Sequence, residues 1–180
     1  KEILPFYRDG VVDDTALERG RQSLEDTFQR QGYYSATVKA HLQPRPEPST
    51  LDITYNVNLG RRGEFVGYEF QGNRNISSVE LGRVLSAHPK DFIRERGLFS
   101  HELLQGDVEA LKALYDSQGF LEARITPRVD DHYHDHPQHI FVTFEVDEGS
   151  RTRVGELSIS GVDAAMQKVI WPALSMKPGE

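Results

Sequence analysis

The chain has 180 residues, a formal net charge of −7 and no cysteine; 37% of its residues are hydrophobic and 27% charged. That balance suits a folded chain rather than a disordered one, and the acidic sum argues against nucleic acid or an anionic membrane held by a basic surface. Disulfides and thiolate chemistry are excluded, no apolar run approaches the about 18 residues of a membrane helix, and the absence of an initial Met or a signal-like stretch leads us to expect a piece of a longer protein.

Residues 1–12 contain Pro5 and Gly10 and show no period, so they are expected to be a loop. A helix over 14–31 follows, with Asp13 in the capping place. Two strands are expected next. Tyr34, Ala36 and Val38 share a face on the first (34–41), and Ile53, Tyr55 and Val57 on the second. Pro44, Pro46 and Pro48 lie between them. Proline cannot donate to a ladder, so this stretch reads as a stiff hairpin loop.

Gly60-Arg61-Arg62-Gly63 marks a boundary. It lacks the lysine–Ser/Thr ending of a phosphate loop and precedes a strand, not a helix. The strand over 64–71 is expected to place Val66, Tyr68 and Phe70 inward. Ser77 and Glu80 form a capping box, with Ile76 and Leu81 as the staple; Leu81, Val84 and Leu85 supply the buried face of that helix. After a loop over 88–98, Ser100 caps a long helix with Leu104, Val108, Leu111 and Tyr115 at helical spacing. Gly119 stops it. Leu121, Ala123 and Ile125 then alternate with Glu122, Arg124 and Thr126, which predicts a half-buried strand over 121–128. Residues 130–139 form a polar loop, and Val142, Phe144 and Val146 alternate inward along the last strand.

The chain repeats itself. Shifted by 87 residues, Leu17 falls on Leu104, Leu24 on Leu111, Phe28 on Tyr115, Gly32 on Gly119 and Ala36 on Ala123. From the second hairpin strand onward the shift is 89, so Gly60 falls on Gly149, Phe70 on Ile159 and Gly72 on Gly161. One complete strand–helix–helix–strand–strand unit spans 61–149. Residues 1–60 hold the second helix and hairpin of a preceding unit, and 150–180 the first strand and helix of a following one. The predicted class is α+β. Each unit is expected to be a three-stranded mixed sheet with both helices on one face and an antiparallel final hairpin; a strand that leaves by two helices and re-enters the sheet does so right-handed if parallel.

Three phrases carry a family resemblance. One is Gly149 to Gly161, G-x-x-x-x-V-G-x-L-x-I-x-G, echoed by Gly60 to Gly72. Another is Pro5-Phe6 before a helix. The third is Leu111 to Ile125, L-x-x-L-Y-x-x-x-G-F-x-x-A-x-I. In this order and spacing the chain resembles tandem POTRA domains, the periplasmic repeats of BamA- and TamA-type outer-membrane assembly proteins and of two-partner secretion transporters. The middle unit departs from the pattern only by His88-Pro89-Lys90-Asp91-Phe92 in place of proline-aromatic.

The resemblance implies a non-enzymatic periplasmic scaffold without cofactors. It would receive unfolded outer-membrane precursors, dock periplasmic or lipoprotein partners, and precede a membrane β-barrel at the C-terminus. It also implies that the second strand of a unit is an open edge that accepts an added strand. The site residues would be Leu121, Glu122, Ala123, Arg124, Ile125 and Thr126. Pro127 would limit the contact to about three or four residues before it.

A reading from another class is a small metal-dependent enzyme, because His132, His134 and His136 would point one way if their loop were extended. The matching loop over 43–49 has no histidine, which favours a solvated hairpin tip. Ser100-His101 reads as cap and surface. Glu102, Asp107, Glu109 and Asp116 are expected on the solvent face, and Trp171 in core or interdomain packing. Finally, the apolar faces at Ile53, Tyr55 and Val57 and at Leu157, Ile159, Val169 and Ile170 are complementary. They predict head-to-tail self-association between chains.

Overall fold

The computed structural model describes residues 14–46, 51–91, 93 and 96–174. Asp13, Pro5-Phe6 and Pro48 lie outside the described residues. Helix α1 (Asp14–Arg30) packs on an antiparallel hairpin of β1 (Thr37–Pro44) and β2 (Leu51–Asn58). The next element is β3 (Glu64–Gln71), followed by the short α2 (Ser78–Gly82), the long α3 (His101–Ser117), β4 (Arg124–Asp130) and β5 (His139–Asp147). The second sheet has the order β3-β5-β4, with β3 parallel and β4 antiparallel to β5. The mixed α+β sheet is therefore as expected.

The helix stops are reproduced bond for bond. Gly119 N donates to Asp116 O at 3.0 Å and Phe120 N to Tyr115 O at 3.0 Å. This is the pair that closes a helix through a left-handed residue, here Gly119 at φ +89°. Gly32 and Tyr33 make the same two bonds to Gln29 and Phe28. A further turn follows in both places, with Ala36 N donating to Tyr33 O and Ala123 N to Phe120 O. Those turns consume the residues expected to open each strand, so β1 starts at Thr37 and β4 at Arg124. Leu121 and Glu122 are turn residues, and Leu121 is 56% exposed instead of belonging to the core.

The linkers bolt onto these turns in the same way twice. Gly63 N donates to Gly32 O at 2.7 Å, and Thr152 N to Gly119 O at 2.8 Å. Beside them Arg62 Nε donates to Gln31 O and Arg151 Nε to Gln118 O, both at 2.9 Å. Residues 151–160 nonetheless form no strand. Extended backbone becomes a strand only by pairing, and no described strand pairs with it. Asp163 then caps α4 (Ala164–Ile170) by accepting from Met166 N. Trp171 follows in a single tight turn and is 40% exposed, contrary to its expected packing role.

A bulge corrects the reading of β3. Phe65 pairs with Ile140 and Gly67 with Phe141, leaving Val66 as the extra residue. The slip turns Phe65 inward together with Tyr68 and Phe70. Phe65 is 1% exposed, while Tyr68 and Phe70 are only partly buried. The core is completed by Leu81, Phe99, Leu111, Tyr115, Val142 and Phe144, all nearly inaccessible. Leu111→Ala should cost about 2–5 kcal/mol, checked as a shift in the urea midpoint at unchanged slope. A cost below about 1 kcal/mol would contradict this packing.

Candidate functional site

The second sheet has two edges, and they differ. At β3 the edge is stitched shut near its start: Lys90 N donates to Phe65 O and Phe65 N to Arg96 O, both at 2.8 Å. The 88–98 loop reaches this position through the bridge between His88 and Leu98. It is pinned there at Gly97 (φ +75°), where a Cβ would lie 2.7 Å from Phe65 O. The other edge is β4.

Pro127 fixes the direction of that edge. It pairs with Phe144 in the ladder, and a proline is tolerated in an edge strand where its nitrogen faces away from the neighbour. Backbone groups alternate sides along a strand, so Ile125 and Val129 also turn their N–H and C=O away from β5. Arg124, Thr126, Arg128 and Asp130 turn theirs toward it. Of the six expected site residues, only Arg124, Ile125 and Thr126 lie on β4. Leu121 and Glu122 are in the turn, and Ala123 is buried beside it. The edge instead runs on past Pro127 to Val129. The extra turn after Gly119 moved the strand, and periodicity cannot register such a turn.

Two carboxylates that sequence reasoning placed in solvent or passed over are buried. Asp107 is fully inaccessible and accepts from Ser86 N at 2.6 Å and Ala87 N at 3.0 Å. It sits three residues after Leu104, on the helix face that leads to Leu111, so its spacing carried the signal. Glu148 is 6% exposed. It accepts from Arg74 N, Asn75 N and Asn75 Nδ2, and at 3.1 Å from Tyr115 Oη. Burial alone would raise its pKa, but these donors outweigh it and hold the carboxyl below its usual value. Both groups pin turns against α3.

A polar groove of about 440 Å³ separates α1 from α3. Its acids are already engaged in structure. Glu25 accepts from Val38 N at 2.9 Å, and Asp26 accepts from the Ser100 hydroxyl and pairs with Arg30. Ser100 in turn caps α3 by accepting from Leu103 N. Burial and the nearby Asp26 carboxylate push the Glu102 pKa upward.

The histidine loop is not extended. His134 and Asp135 take φ of +55° and +61°, so alternate residues do not share a face. His134 lies against Tyr133, His132 Nδ1 meets Asp131 at 2.8 Å, and His136 lies tilted against His139 with ring centroids 4.7 Å apart. Tyr133 lies flat on Phe141, which fixes the loop to the open sheet face. Among the described residues, no group of three or more His, Asp or Glu side chains comes together to hold a metal ion.

Comparison with known proteins places this geometry. The sequence model of a family described as POTRA, surface antigen variable number repeat, matches residues 1–60 and 65–149. Over 174 residues the chain is 26% identical to the outer membrane protein assembly factor BamA of Nitratidesulfovibrio vulgaris, covering 89% of this chain and 21% of that protein. The chain spans about a fifth of the length of the curated relatives it matches. Among solved structures it is similar to Haemophilus influenzae BamA POTRA3-5, with a TM-score of 0.62 at 24% identity, over 93% of this chain and 63% of that one. It is also similar to BamA from Haemophilus ducreyi lacking POTRA domains 1-3, with a TM-score of 0.56 at 18% identity, over 81% of this chain and 25% of that one.

Proposed function

Because the chain belongs to the POTRA family, we propose that it is a periplasmic, non-enzymatic scaffold of a BamA-type outer-membrane assembly factor. In this reading it is one soluble stretch of a protein that carries a membrane β-barrel further along. It receives unfolded precursors by strand addition along β4. Residues 1–60, 61–149 and 150–180 act as successive units of one array. The observation that carries the binding role is the unequal pair of edges: β3 is stitched by its own loop, whereas Ile125 and Val129 turn backbone groups outward from β4. An outer-membrane precursor is rich in alternating strands, and main-chain pairing binds such segments with little regard to sequence.

The test is proline placed on either side of the strand. Val129→Pro removes an outward donor and is expected to weaken binding of an alternating barrel-strand peptide about tenfold, one bond of about 1.4 kcal/mol. Arg124→Pro removes a donor facing β5, so it should lower stability more than affinity. Peptide titration by NMR reads both. Unchanged affinity in folded Val129→Pro would move the site elsewhere.

A further inference from the structure

At its far end β4 runs into a cleft of about 410 Å³. Tyr34, Phe99 and Ile140 line it with almost fully buried side chains, and Val129 and Pro137 line it from more exposed positions. The exposed residues Arg61, His101 and Asp131 are also part of the lining. The cleft is preformed. Tyr34 comes from the turn after α1, yet its hydroxyl donates to Arg96 O at 2.9 Å and accepts from Phe65 N at 3.1 Å. Its ring meets Phe99 edge to face at 5.6 Å. The bolt between Gly32 and Gly63 holds that turn against the second sheet.

The pleat says what would enter. Val129 directs its N–H and C=O outward, and it stands on the same sheet face as Ile125 and Pro127, which pair with the inward Val146 and Phe144. Residues directly opposite each other in paired strands point to the same face. The residue of an added strand that pairs with Val129 therefore turns its side chain toward the cleft.

Resting on the edge-pairing function above, we propose that this cleft receives one apolar side chain of the added peptide, the residue opposite Val129. The preceding unit, through Tyr34, thereby takes part in choosing which segments bind. Backbone pairing supplies affinity, and the cleft supplies preference and register, since a slip by one residue would carry the apolar side chain to the other face.

The experiment uses the 180-residue chain and two nine-residue peptides of Thr and Gln, one with Phe and one with Ser at the centre. Amide shifts locate binding along β4 and at Tyr34 and Phe99. The Phe peptide is expected to bind about tenfold more tightly, as befits burial of one apolar side chain in a site that stays partly open. Pro137→Asp, in the cleft wall and off the strand edge, should remove that preference and leave the Ser peptide nearly unaffected. Equal affinity of both peptides for the wild-type chain, with shifts along β4, would overturn the cleft and leave the edge reading standing. Shifts confined to other surfaces, or no binding of either peptide, would overturn both.

Discussion

Glu148→Ala is expected to destabilise the chain by about 3–5 kcal/mol, because it removes the shared acceptor of four donors, among them the buried Tyr115 hydroxyl, at about 1 kcal/mol each. Arg74 N, Asn75 N, Asn75 Nδ2 and Tyr115 Oη all converge on this carboxylate. The effect depends on pH. The folded carboxyl lies below its ordinary value of 4.5, so its contribution is full above that value and fades as pH falls through the lower folded one. Urea midpoints of wild type and Glu148→Gln should therefore differ most near neutrality and converge in acid. A constant gap down to pH 3 would show that the carboxylate's charge is not what holds the turn. The repeat contains its own control. At the equivalent places the preceding unit has Phe28 for Tyr115 and Leu59 for Glu148. Hydroxyl and carboxylate are absent together there, as expected of a pair that is costly to half-remove.

Tyr34→Ala should cost about 3–5 kcal/mol as a buried aromatic, and Tyr34→Phe about 0.5–1.5 kcal/mol, since Arg96 O and Phe65 N lose the hydroxyl but keep their bond to each other. Burial pushes the phenol up to about 12 from 10.0. Its contribution therefore holds below pH 10 and is lost as pH rises through about 12. The residue belongs by sequence to the first unit and by packing to the second. Residues 61–149 expressed alone should consequently melt cooperatively but at lower stability than the whole chain, by about the cost of Tyr34→Ala. Equal stability of the piece and the chain would mean that the two units do not support each other through this ring.

Periodicity and the internal repeat were enough to determine the type and order of the elements from α1 to β5 and the helix after them, though not the absence of the strand expected before that helix, and also the capping residues Ser77 and Ser100 and the stop at Gly119. These depend on contacts within four residues along the chain, which the sequence states directly. A mixed sheet was expected from the strand–helix–helix–strand–strand order, but only the fold shows that the last strand lies between the other two, parallel to β3 and antiparallel to β4. The repeat also marked Gly32 and Gly119 as equivalent, but only the folded chain shows that each receives its linker through the same bonds.

Tertiary structure decided what local pattern could not. The bulge at Val66 exchanged Val66 for Phe65 in the core, and a slip of one residue leaves no trace in a run of apolar residues. The turn after Gly119 put Leu121 in solvent and moved the edge to 124–130. Leu121 is the counterpart of Tyr34 by the shift of 87, and Tyr34 is buried not by its own hairpin but by Phe65 and Phe99 beyond the linker. Burial of that kind is a contact between distant segments, which alternation along one strand cannot encode. The same holds for Asp107 and Glu148. Their partners lie about 20 and 74 residues away, and only the closed fold supplies enough amides to keep a carboxylate out of water.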